Sequence, residues 1–200
     1  ERLGSPLNRE AVVRFVLEYA LGNADSSGLQ VWRVAALNLL VELWISFPDE
    51  VAARTDVPRT ILAQFWTSFQ DDGVELHIAV VCGLFRLVST LTETENVYAP
   101  SVYKLLAKLL DVTTSQSIAR DLLVANFCVF FGEFPAVPVG LVLETFLGQM
   151  SRPFAYSNTD FDLLTRIAQR PNLCQSHVVL MIHVLGRIAV QDALYGRLAG

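Results

Sequence analysis

The chain has 200 residues, of which 52% are apolar and only 18% charged. A composition this apolar excludes intrinsic disorder. A formal net charge of −5, with the 15 basic residues scattered singly rather than in runs, excludes the basic footprint of a nucleic-acid surface.

Mean hydropathy is positive, so membrane insertion has to be weighed. A spanning helix needs about 20 mostly apolar residues. The most apolar windows carry Asn38 and Glu42, then Glu75, His77 and Arg86, then Arg120, Asp121 and Asn126. They read as buried helices of a soluble protein, with no membrane partner. The opening residues, ERLGSPLNRE, lack the basic-then-apolar order of a signal peptide, and the cytoplasm is the expected location. Cys82, Cys128 and Cys174 are odd in number and lie in apolar runs, as expected of buried, reduced thiols.

In chain order, Ser5 reads as an N-cap with Pro6 at the first helical position and Gly22 as the stop, giving a helix over 6–21. The turn NADSSG leads into a longer apolar helix, Val31 to Phe47, ended by Pro48. Pro58 opens a helix to about Phe69; the turn Asp71-Asp72-Gly73 breaks it, and a buried helix follows from Val74 to about Leu91. Pro100 opens a helix to about Leu110, TTSQ turns the chain, and Ile118 to Phe134 forms the most apolar helix of all. Ile118, Leu122, Ala125 and Val129 make one stripe on it, and Leu123, Phe127, Phe130 and Phe134 a second. A helix apolar on so many sides is expected to be covered on most of them.

Pro138 opens a fourth pair, which departs from the pattern at SRPFAYSNTDF. Asn158 or Thr159 is the expected cap of its second helix, ended by Arg170-Pro171, and a final apolar helix runs from Gln175 to about Ala189. Pro58, Pro100 and Pro138 lie 42 and 38 residues apart. A period of that length belongs to helical solenoids.

The second helices begin alike: Gln30-Val31-Trp32-Arg33-Val34-Ala35-Ala36 after Asp25, Val74-Glu75-Leu76-His77-Ile78-Ala79 after Asp71-Asp72-Gly73, and Ser117-Ile118-Ala119-Arg120. Over residues 6 to 151 this resembles the HEAT/armadillo class of helical repeats. The resemblance implies an all-α, right-handed solenoid of helix pairs, within a single domain over 1–200. The pairs are expected at about 6–47, 58–91, 99–134 and 138–170, with a terminal helix over 174–190.

Several constellations invite chemistry and are better read as structure. Cys174 and His177 share a helical face, but His183 lies about 240° further round, so no three metal ligands converge. Asp71/Asp72 and Asp160/Asp162 precede or open helices and read as helix-end charges. No nucleophile-base pair and no Gly-rich phosphate loop is evident, so neither catalysis nor a cofactor is expected. Most aromatics, Trp44 and Trp66 included, fall in core stripes. Trp32 does not, and since second helices of such arrays usually line the concave surface, Trp32, Arg33, His77 and Arg120 are the expected partner-binding ridge, with Phe154 and Tyr156 as further contacts.

The expected function is a non-catalytic protein-protein interaction scaffold within a larger cytoplasmic protein. A cytoskeletal or ciliary scaffold, including TOG-like tubulin binding, is one alternative, although the intra-pair loops are acidic or neutral where TOG arrays use Trp and basic residues. Self-association is another, through a final helix carrying Val178, Val179, Met181, Ile182 and Leu185.

Overall fold

The computed structural model describes residues 6–24, 29–113, 117–150, 157–171 and 173–198, and among them the chain is all-helical, with ten helices and no strand. It divides into two compact units, Glu1–Leu106 and Ala107–Gly200.

The first unit holds α1 (Pro6–Ala24), α2 (Gln30–Ser46), α3 (Pro48–Ala52), α4 (Asp56–Phe69) and α5 (Val74–Glu93); the division falls within α6 (Ala99–Val112). Helix α2 packs between α1 and α5, and α4 also packs on α5. Two cross-links fix the direction of the α2/α5 pair: Gln30 donates to Glu75 near the helix starts, and Arg86 donates to Glu42 twelve residues further along α2. The helices therefore run parallel. Leu37, Leu40 and Trp44 of α2, Ile61 and Phe65 of α4, and Val80, Leu84 and Leu87 of α5 form a fully buried core. Gly83 permits the close approach, because a Cβ there would stand 3.1 Å from Val41 and 3.3 Å from Phe65.

Several helix ends differ from expectation, each for a local reason. Gly22 does not stop α1, which continues to Ala24; the last carbonyl of the helix gains a donor, since Gln64 on α4 donates to Ala24 O at 2.6 Å. Pro48 ends α2 but occupies the first position of the short α3, where its missing N–H costs nothing. Helix α4 starts at Asp56, two residues before Pro58, within the first turn where N–H groups have no intrahelical partner. Helix α5 overruns Leu91 and stops where Glu95 turns left-handed, φ 53°, with Asn96 N donating to Leu91 O at 2.8 Å and Glu95 N to Thr92 O at 3.2 Å. This is a Schellman ending built without its usual glycine.

The second unit holds α7 (Ile118–Glu133), α8 (Gly140–Met150), α9 (Asn158–Ala168) and α10 (Gln175–Leu198). Helix α7 packs on α9, and α8 on α10. Arg120 near the start of α7 meets Asp160 near the start of α9, while Arg170, just past the end of α9, donates to Phe131 O near the end of α7. This pair too is parallel. Helix α9 is capped by Ser157 rather than Asn158 or Thr159, in a capping box with Asp160. The expected Ser5 cap and parts of the turns at 25–28 and 114–116 lie outside the described residues.

Helix α7 corrects the expectation that both its stripes are covered. Leu123, Phe127 and Phe130 are buried, with Phe127 and Phe131 stacked at 5.6 Å, but Ile118, Ala125 and Val129 are exposed. Helix α5 meets the length and hydropathy of a spanning helix despite Glu75, His77 and Arg86, and 56% of that window is buried inside the protein. The thiols are also corrected: Cys82 and Cys174 are exposed and Cys128 is half-buried.

Truncating the two stripes of α7 separates their roles. Phe127→Ala is expected to cost about 3–5 kcal/mol and Val129→Ala less than about 0.5 kcal/mol, measured by urea unfolding followed by circular dichroism. Equal losses at the two positions would contradict the inward and outward assignment.

Candidate functional site

The basic residues near the starts of α2, α5 and α7 each have a structural partner. Arg33 is buried, pairs with Asp71, and directs Nε to Ala24 O at 3.4 Å, the last carbonyl of α1. His77 Nε2 donates to Phe69 O at 3.1 Å, the last carbonyl of α4, with its ring 4.7 Å from that of Phe69. Arg120 is 1% exposed; its Nη1 lies 2.7 Å from Asp160 Oδ1, its Nε 3.2 Å from Gln149 Oε1, and its guanidinium over the Phe146 ring. Gln149 in turn donates to Leu110 O, near the end of α6. Buried helix ends need donors for their last carbonyls, and Arg33, His77 and Gln149 supply them, with Arg120 holding Gln149 in place.

The expected binding ridge is corrected accordingly. Arg33 and Arg120 are buried, because they lie on the side of the starts of α2 and α7 that faces the ends of neighbouring helices. His77 is half-buried on Phe69. Trp32, by contrast, is 57% exposed. Phe154 and Tyr156 lie outside the described residues.

Beside Trp32, which lies on the flank of α2 opposite Val41 and so away from α5, the two helices present residues that periodicity alone left unassigned. On α2 the outward positions are Val31, Ala35, Asn38 and Glu42, spaced three to four residues apart; on the parallel α5 they are Glu75, Ile78, Cys82 and Arg86. Val31 is 78% exposed and Ile78 38%. Gln30–Glu75 closes one end of this two-helix face, and the ion pair in which Arg86 takes Glu42 with both guanidinium nitrogens, Nη2 to Oε2 at 3.1 Å, closes the other. The result is an apolar strip with small residues along its middle and charges at its ends. The sequence carried a signal for it, an i, i+4, i+7, i+11 run of small and polar residues through an otherwise apolar helix, opposite the core stripe.

Asp71 serves as the counter-ion of Arg33 and not as a cap, while Asp160 does both jobs, accepting from Arg120 and from Ser157 N. Among the described residues no group of three or more His, Cys, Asp or Glu is placed to hold a metal ion. Cys174 and His177 do come together, Sγ to Nδ1 at 2.9 Å, but His183 is exposed further along α10. A groove of about 520 Å³ between α1 and the α3–α4 segment has an apolar floor of Val13, Leu17, Val51 and Val57 under a rim of mixed charge.

The two acidic partners differ in burial, and their removal should differ in cost. Asp160→Ala leaves Arg120 charged and buried and should cost about 3–5 kcal/mol. Asp71 is 39% exposed, so water reaches the end of Arg33 that it leaves, and Asp71→Ala should cost less, about 1–3 kcal/mol, both read from urea midpoints. A larger loss at Asp71 than at Asp160 would overturn the assignment of Arg120–Asp160 as the structural pair. Compared with protein families, curated proteins and solved structures, the chain has no match, so its own geometry carries the functional reading.

Proposed function

We propose that the chain is a non-catalytic protein-binding module of a cytoplasmic scaffold, a right-handed helical-repeat array of the HEAT/armadillo type, and that its partner docks on the α2/α5 face. The observation that carries the docking site is the exposed strip of Val31, Ala35 and Ile78 on two parallel helices pinned by polar cross-links at both ends, with Trp32 exposed on the neighbouring flank of α2. Exposed aromatic and aliphatic side chains on a rigid two-helix platform are what an interface hot spot needs.

The repeat reading is supported by equivalent bonds at nearly constant offset. Glu42–Arg86 spans 44 positions and Gln30–Glu75 spans 45 in the first unit; Arg120–Asp160 spans 40 and Arg170–Phe131 spans 39 in the second. Gln64 reaches Ala24 O across 40 positions, and Gln149 reaches Leu110 O across 39. Parallel second helices joined at a fixed offset are the contacts that stacked pairs make.

Asp72 and Glu75 are exposed beside the strip, so the partner segment that fits carries an apolar anchor flanked by Lys or Arg. Self-association is the second reading, favoured by a different observation. Met181 faces inward, and the outward stripe of α10 is Val179, Ile182, Gly186 and Val190, a strip that a second copy could cover. Tubulin binding of the TOG type is disfavoured, because Asp71 in the α4–α5 turn is already paired with Arg33.

A photo-crosslinker at Ala35 should capture a partner from cell extract that the same group at Ala63, exposed on α4, does not. Trp32→Ala or Ile78→Glu should weaken that partner's binding at least about tenfold, or ~1.4 kcal/mol, with helicity unchanged. Equal capture at both positions, or undiminished binding by both variants, would sink the docking face. For the second reading, light scattering should show a dimer that Ile182→Glu dissociates; a monomer at every concentration removes it.

A further inference from the structure

The start of α10 carries a side-chain cluster that partner binding does not use. Cys174 occupies the cap position of that helix: His177 N and Val178 N donate to its carbonyl at 3.1 and 3.2 Å. Its Sγ lies 2.9 Å from His177 Nδ1 and 3.0 Å from Ser176 Oγ. The other ring nitrogen of His177, Nε2, faces Glu144 Oε1 of α8 at 3.8 Å. The ring rests against Gly140, where a Cβ would stand 3.1 Å from Cε1, so a larger residue there would displace it.

We propose that Cys174, His177 and Glu144 form a nucleophilic thiol site that exchanges with small aliphatic disulfides, so that the protein is reversibly S-thiolated at the start of α10. A thiol within hydrogen-bond reach of an imidazole is the pairing that activates a cysteine nucleophile; the Glu144 carboxylate, 3.8 Å from Nε2, acts on the ring by its charge and is too far to hydrogen-bond it. The thiol passes its proton to Nδ1, and the resulting thiolate and imidazolium are paired with each other, with the Glu144 carboxylate on the far side of the ring. The thiolate attacks one sulfur of the disulfide; a new S–S bond forms to Sγ, the old S–S bond breaks, and its electron pair leaves on the departing thiolate, which takes the proton from Nδ1. Cys174 is thereby oxidised to a mixed disulfide and half of the reagent is reduced to a thiol.

The surroundings favour this direction. The thiol is held below its ordinary range by the Ser176 hydroxyl first and by the backbone N–H of His177 second, against a smaller opposing effect of desolvation. The positive end of α10 adds to the same effect. Cys174 is exposed, so a small disulfide reaches it, whereas Cys128 on α7 is half-buried. Cys82 is exposed as well, in the middle of α5, with no cap position beneath it. That makes it an internal reference.

The test treats the purified full chain with oxidised glutathione and follows each cysteine by peptide mass. At pH 7 Cys174 should react at least about tenfold faster than Cys82, and reductant should reverse it. His177→Gln should slow Cys174 about tenfold and move its rate-against-pH curve upward, and Gly140→Val should act in the same direction by displacing the ring. Glu144→Gln should give a smaller loss, and the Cys82 rate should not change in any variant. Circular dichroism controls for folding, and Cys82 reports any loosening of the chain. If Cys174 reacts no faster than Cys82, or if His177→Gln leaves its rate and pH profile unchanged, the site does not exist as described.

Discussion

Helices packed as densely as these bury their own ends, and each buried end leaves carbonyls that must find a donor. Unpaired peptide groups away from water cost on the order of 1–3 kcal/mol each, so the stack is stable only where side chains reach them. Here the donors come from a neighbouring helix: Gln64 and Arg33 at Ala24, His77 at Phe69, Gln149 at Leu110, and Arg170 at Phe131 and Phe134. The same contacts that satisfy a helix end fix the register of the next helix. Apolar burial supplies the driving force, but Leu37 or Leu84 would pack nearly as well with a helix slid by one turn. The carbonyl contacts would not.

That constraint explains what could be read from the sequence and what could not. The prolines at 58, 100 and 138 and the apolar periodicity located the helices, because both are local properties of the chain. The spacing of those prolines, 42 and 38 residues, was legible for the same reason. The orientation of Arg33, His77 and Arg120 was not, since Arg beside Trp at a helix start looks identical whether it faces solvent or a neighbouring helix end. Only the position of Asp71 or Asp160 in space, 38 and 40 residues away, decides it. The same holds for α7, where two apolar stripes are equally strong in sequence and tertiary packing covers one of them. Gly22 misled because a glycine inside a helix is tolerated at about 1 kcal/mol, and Glu95 was invisible because nothing in its side chain announces a left-handed turn.

The division of labour between faces follows. Residues that look chemically rich, the buried arginines, hold the architecture. Surfaces that look plain, the small outward residues of α2 and α5, are open for contact. Between the polar pairs Glu42–Arg86 and Gln30–Glu75, the outward face of α2 and α5 presents Val31, Ala35, Asn38, Ile78 and Cys82, so it offers shape in the middle and charge at the ends. The thiol at the start of α10 belongs to the second unit and answers to small-molecule chemistry instead of to a macromolecule.

Among the described residues, the side-chain cross-links that bind helix to helix span no more than 45 positions of chain. Each helix is therefore held by segments close to it in sequence, which is the condition for fast assembly with little loop-closure entropy. Within each unit, a helix that comes away stays tethered to its partner by a few tens of residues, so it finds its contacts again without a long search.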